Sequence, residues 1–198
     1  INMGYGDTPS RVLNNLATMA ERPLTCVSLT GGVSYYLPDT RSNVFNAKLH
    51  LIPTPLLASS KEMADAMRHE VSVAEISRMI SLAQLTVVGI GSMHESATIF
   101  KSGILNRNDF LYLQMQGAVG DLLSHFIDKD GNLIETPLEA RLISTSLSKL
   151  KALQNVIGVA AGDVKVAAIR AALKGGYLDV LITDDHTAEQ LLAKEPEA

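Results

Sequence analysis

A chain of 198 residues, 46% hydrophobic and 19% charged, has the size and composition of one globular domain, which excludes a disordered or fibrous protein. Its formal net charge of −4 argues against a sequence-independent grip on nucleic acid. The one cysteine, Cys26, lies in an apolar run, so neither an internal disulfide nor a cysteine zinc site is expected, and the composition suits a reducing, cytoplasmic setting. Neither an apolar run of membrane-spanning length nor a signal peptide is visible.

In chain order, Ile1-Asn2-Met3 reads as the end of a strand, and the chain as a piece of a longer protein. The turn Gly4-Tyr5-Gly6-Asp7-Thr8 opens a helix with Pro9 at its first position and Val12, Leu16 and Met19 at helical spacing. Residues 24–29 form a second strand, followed by Thr30-Gly31-Gly32-Val33, and residues 48–52 a third. Ser59-x-x-Glu62 and Ser72-x-x-Glu75 both have the form of capping boxes, the second leading into Ile76, Met79, Ile80 and Ala83 on one helical face.

A strand over 86–90 ends in Gly89-Ile90-Gly91-Ser92, and Gly117-Ala118-Val119-Gly120-Asp121 precedes a hairpin with arms 122–128 and 133–136 around Lys129-Asp130-Gly131-Asn132. The strand over 156–160 runs into Ala161-Gly162-Asp163. Val166, Ile169 and Leu173 then mark a last amphipathic helix stopped by Gly175-Gly176, before a strand over 179–182. The tail 194–198 should fray. Strands that are continuously apolar and alternate with helices imply an α/β, Rossmann-like fold: a mainly parallel, doubly wound sheet with a local β-hairpin, covered on both faces, in one domain over residues 1–198.

Such sheets bind ligands beyond the carboxyl ends of their strands, where this chain places its glycine turns. Backbone crowding round one ligand is a common reading of Gly4, Gly6, Gly31, Gly32, Gly91 and Gly120. The Gly4–Thr8 turn can cradle an anion at a helix N-terminus with the Thr8 hydroxyl donating, although Asp7 adds negative charge and suits sugar hydroxyls better, or is itself the cap. Lys165, in the first turn of a helix, opposes the helix dipole, and an anionic ligand would relieve that; the alternative is a surface lysine paired with Asp163. Asp121 can accept from sugar hydroxyls or bond its own turn. Lys61 either reaches the ligand or is a solvated surface lysine. His94-Glu95 is an acid/base pair or a polar loop. A P-loop, a GxGxxG fingerprint and a nucleophile elbow are absent from the sequence, and neither a catalytic residue, a metal nor a cofactor is assigned.

The motifs Gly4-Tyr5-Gly6-Asp7-Thr8, Leu29-Thr30-Gly31-Gly32-Val33, Pro53-Thr54-Pro55-Leu56, Ser59-Ser60-Lys61, Val87-Val88-Gly89-Ile90-Gly91 and Gly117-Ala118-Val119-Gly120-Asp121 come in an order that resembles the sugar-binding domain of SorC-type bacterial transcription regulators. Phe126, Asp128-x-x-Gly131, Gly158-Val159-Ala160-Ala161-Gly162 with Lys165, Ala172-Leu173-x-Gly175-Gly176 and Thr183-Asp184 extend the resemblance over nearly the whole chain, with the sorbitol and sorbose operon regulators as its nearest branch. The resemblance implies a fold like that of sugar-phosphate isomerases. It also implies a sugar or sugar phosphate effector, a helix-turn-helix domain upstream that binds operator DNA, and assembly as a homodimer or homotetramer. It places Gly4, Gly6, Asp7, Thr8, Gly31, Gly32, Val33, Asp121 and Lys165 round the effector. Asp7 departs from the hydroxyl residues common at that position, which puts phosphate contact there in doubt. The competing readings are a sugar-phosphate isomerase or aldolase using His94 and Glu95, and a nucleotide-binding domain.

Overall fold

The computed structural model describes residues 1–36, 46–95, 97–101 and 103–193; the tail for which fraying is expected lies outside them. The chain runs β1 (Asn2–Met3), α1 (Asp7–Met19), β2 (Leu24–Ser28), β3 (Ala47–His50), α2 (Lys61–Arg68), α3 (Val71–Leu82), β4 (Thr86–Gly89), β5 (Gly91–Ser92), α4 (Thr98–Lys101) and α5 (Arg107–Met115). It continues through β6 (Gly120–Leu122), β7 (His125–Ile127), α6 (Pro137–Arg141), α7 (Leu147–Ala152), β8 (Val156–Val159), α8 (Val166–Lys174), β9 (Val180–Ile182) and α9 (Asp185–Leu192). The expected α/β fold with a parallel sheet is the one observed.

Six parallel strands form the main sheet in the order β3-β2-β1-β4-β8-β9, and an antiparallel β5-β6-β7 sheet stands beside it. Ranked along the chain, the parallel strands are ordered 3-2-1-4-5-6, so the winding reverses between β1 and β4. Asn2 pairs with Val27 on one side and Thr86 on the other, which fixes the register at that reversal. The larger core packs Val27, Val88 and Val156 of the sheet against Ile80 of α3, Leu150 of α7 and Ile169 of α8. A second cluster on the opposite face joins Met3, Cys26 and Val87 to Leu13 of α1. A third packs Ile99, Leu105 and Leu113 with Phe126 of β7.

Several local expectations are corrected. The arm expected over 122–128 is broken at Leu123-Ser124, where φ is 54° and 69°, so the ladder folds as a two-residue β6–β7 hairpin. The Asp128–Asn132 turn does form, with Asp128 Oδ1 accepting from Asp130 N–H and Asn132 N–H, but beyond it only one bridge, Ile127 to Leu133, remains of the second arm. Ser60 rather than Ser59 caps α2, its hydroxyl accepting from Met63 N–H at 3.2 Å. Ser72 caps nothing, because α3 already begins at Val71. Pro9 is the third residue of α1, still within the turn whose N–H groups have no intrahelical acceptor. Strand β9 is not covered on both faces: it closes the sheet edge with Val180 and Ile182 exposed.

Candidate functional site

A cavity of about 230 Å³ opens at the carboxyl ends of β1 and β4, where the winding reverses. The turn after β1 supplies Tyr5, Gly6, Asp7, Thr8 and Pro9. The end of β4 and β5 supply Gly89–Ser92, and α4 covers one side with Ala97, Thr98 and Ile99. Asp121 and Leu123 come from the hairpin, and Lys165 from the turn after β8. Helix α1 aims its N-terminus at this space. Its cap is Gly6, at φ 123°, with no side-chain acceptor, so the first N–H groups remain available to a ligand. Asp7 is therefore not the cap; it pairs with Arg11 at 3.1 Å in an exposed ion pair along α1.

Asp121 sits opposite Gly91 in the β5–β6 ladder, and its carboxylate lies flat on that glycine. A Cβ added to Gly91 would fall 1.9 Å from Asp121 Oδ1, which explains the glycine without recourse to backbone freedom. Oδ2 accepts from Ser124 N–H at 3.0 Å, the local turn bond that the sequence left open. Burial raises the Asp121 carboxyl to about 6, against the pull of Ser124 N–H and the charges of Lys165 and His125. Burial lowers the Lys165 ammonium, while the negative charges of Asp121 and Asp7 act in the opposite direction. Asp163 does not take up Lys165: it accepts from Gln190 at 2.9 Å and faces His186 at 3.2 Å. Lys165 forms the N-cap of α8, which is not the last helix, since α9 follows. Behind the hairpin, buried His125 donates from Nε2 to the Thr145 carbonyl at 2.9 Å, and its Nδ1 lies 2.8 Å from Glu139 Oε1.

Of the residues singled out in the sequence, Gly6, Asp7, Thr8, Gly91, Asp121 and Lys165 meet round this cavity. The others do not line it. Gly4 leaves room for Leu123 and β4, the Leu123 Cδ2 being 3.1 Å from a Cβ built there. Gly120 admits Ala168 of α8, whose Cβ would be 2.3 Å away. Gly31 is pressed against the Pro55 carbonyl, and Gly32, at φ 84°, lies under the ring of Tyr35. Val33 is exposed at the start of a 3-10 turn. The Lys61 ammonium is bonded to Asp65 at 2.7 Å one turn along α2, as a solvated surface lysine is. His94 and Glu95 line a separate cavity with Phe100 and Arg107, apart from Asp121 and Lys165.

Sequence reasoning passed over Tyr5, Ser92, Thr98 and Ser124. Tyr5 is half-buried, its hydroxyl 2.6 Å from Ser124 Oγ, so Tyr5, Ser124 and Asp121 form one chain of contacts across the hairpin turn. Burial and the Asp121 charge push the Tyr5 hydroxyl well above its ordinary range, which keeps it a neutral hydrogen-bonding group. The one available signal was its place between Gly4 and Gly6. Among the described residues, no group of three or more His, Cys, Asp and Glu is placed to hold a metal ion. No described helix is long and apolar enough to cross a membrane. The arrangement offers carboxylate acceptors, an ammonium, hydroxyls and helix N–H groups to a small polyhydroxylated ligand, with or without an anionic group.

The family model described as "Putative sugar-binding domain" matches residues 1–193. The chain belongs to this family. The domain is 33% identical over 195 residues to the transcriptional regulator LsrR of Klebsiella pneumoniae, covering 96% of this chain and 60% of that protein. It thus spans about three fifths of the length of the curated relatives it matches. Among solved structures, a DeoR family transcriptional regulator from Listeria monocytogenes superposes with a TM-score of 0.84 at 24% identity, covering 96% of this chain and 78% of that one, which supports the fold. The full-length sorbitol operon regulator SorC from Klebsiella pneumoniae superposes with a TM-score of 0.80 at 25% identity, covering 97% of this chain and 64% of that one. The resemblance to SorC-type sugar-binding domains is borne out. The narrower sorbitol or sorbose branch is not singled out by these figures.

Proposed function

We propose that this domain is the effector module of a cytoplasmic transcription regulator, and that the cavity between β1 and β4 binds a sugar or sugar phosphate. The observation that carries this reading is the convergence of Asp121, Lys165 and the α1 N-terminus at the reversal of the sheet. Asp121 and Asp7 accept from sugar hydroxyls, and Lys165 with the α1 N–H groups takes the most negative part of the ligand. Operator DNA is bound through a domain outside this chain, and the protein works as a homodimer or homotetramer whose arrangement the effector biases. Binding rather than turnover is favoured because His94 and Glu95, the acid/base pair an isomerase or aldolase would use, line another cavity.

A thermal-shift screen against sugars, polyols and their phosphates tests this, with Lys165→Ala in parallel. Ligand that binds only the folded state must raise the midpoint by mass action. A selective rise with one compound, reduced in Lys165→Ala, is the expected result. A flat response across the whole panel would refute a sugar site.

A further inference from the structure

A second cavity, of about 280 Å³, adjoins the first. Tyr5, Gly6, Asp7 and Thr98 line both. The second is completed by Ser10, Leu13 and Asn14 of α1 and by Ser34, Tyr35 and Tyr36 of the 3-10 turn after β2. Each alone is smaller than the roughly 300–1,000 Å³ of sites that engulf a small ligand, whereas the pair together falls within that range.

The two cavities differ in chemistry. The first holds Lys165 and Asp121, while the residues lining the second include no cation. Hydroxyls, one amide and aromatic rings line it instead. The Tyr5 hydroxyl is engaged with Ser124, and the rings of Tyr5 and Tyr35 lie 5.4 Å apart at 35°. Gly32 sets this pair: a Cβ there would stand 2.5 Å from the Tyr35 ring, so only glycine lets that ring settle beside Tyr5. An aromatic face is electron-rich and meets the C–H face of a sugar ring favourably, while nearby hydroxyl and amide groups satisfy its equatorial hydroxyls. Asp7, at the junction, can accept from hydroxyls on either side.

We propose that the effector is a disaccharide or comparable glycoside, one ring in each cavity, its charged or most polar ring towards Lys165 and a neutral ring against Tyr35. This rests on the sugar-site reading above and extends it from a single sugar to a two-ring ligand.

Calorimetric titration of the domain compares maltose, cellobiose, sucrose and trehalose and their 6-phosphates with glucose, fructose and their 6-phosphates. At least one disaccharide should bind ten-fold or more tighter than either of its component sugars. Tyr35→Ala and Asn14→Trp, the second filling the cavity from α1, should each weaken that disaccharide by ten-fold or more and leave the monosaccharides within two-fold; Lys165→Ala should weaken both classes. Asn14→Trp, on a half-exposed helical position, keeps the test intact if Tyr35→Ala fails to fold. Monosaccharides that bind as tightly as every disaccharide, or disaccharide binding indifferent to Asn14→Trp, would overturn the two-ring ligand while leaving the sugar site standing. Silence from both classes would overturn the sugar site and the two-ring ligand together.

Discussion

Replacing Asp121 by asparagine should stabilise the ligand-free domain at neutral pH and abolish effector binding. The carboxyl is buried, and its pKa is raised from 3.8 to about 6 by desolvation. Below pH 3.8 the group is protonated in both folded and unfolded chains and contributes no pH dependence. Between 3.8 and 6 the unfolded chain ionises first, so stability falls as pH rises, and above 6 the folded state carries the whole cost of the buried charge. At about 1.4 kcal/mol per pKa unit that cost is about 3 kcal/mol. Asparagine has the same shape over Gly91, and its oxygen can still accept from Ser124 N–H, so the local contacts survive. Part of the gain is lost because Lys165 would no longer face a negative partner. The net gain should be roughly 1–2 kcal/mol at pH 7.5, seen as a rise in melting temperature of about 2–8 °C for a domain of this size. Urea unfolding at pH 4.0, 5.0, 6.0 and 7.5 provides the assay: the gap between variant and parent should open as pH rises and be small at pH 4.0. A gap that is constant with pH, or an Asp121→Asn protein less stable than the parent at pH 7.5, would refute the claim that an incompletely compensated buried carboxylate is held ready for a ligand.

Gly91→Ala should weaken sugar binding by more than ten-fold with the fold retained in circular dichroism, because the new Cβ would occupy the place of Asp121 Oδ1 and push the carboxylate aside. Tyr5→Phe removes the bond to Ser124 Oγ and should cost about 1 kcal/mol in urea unfolding while leaving the aromatic wall in place. Gly120→Val should overpack the hairpin against Ala168 and lower stability by about 1–3 kcal/mol, measurable as a lower urea midpoint at unchanged slope. Lys61→Ala should leave ligand affinity unchanged, since that ammonium is spent on Asp65 at the surface of α2; a loss of binding in a titration would place Lys61 in the site after all.

The sequence alone determined the parallel strands, their order along the chain and the glycine turns at their ends, because continuous apolar runs and glycine punctuation are local properties. It also singled out Asp121 and Lys165, since an acid ending a glycine turn and a cation at a helix start are each at odds with their local setting. Which turns meet was decided by the sheet. The 3-2-1-4-5-6 order sets the ends of β1 and β4 side by side, and the Gly31-Gly32 turn after β2 does not line the cavity that holds Lys165. The break at Leu123-Ser124 was hidden for a different reason. Neither residue is a usual left-handed former, and the turn is held by Tyr5, Asp121 and the packing of Leu123 on Gly4, all of them tertiary contacts. The glycines give the same lesson in reverse. Their composition suggested one crowded ligand site, yet Gly120 makes room for a helix, Gly4 for a leucine and Gly32 for a tyrosine ring, and a bare glycine in a sequence does not say what will fill the space it leaves.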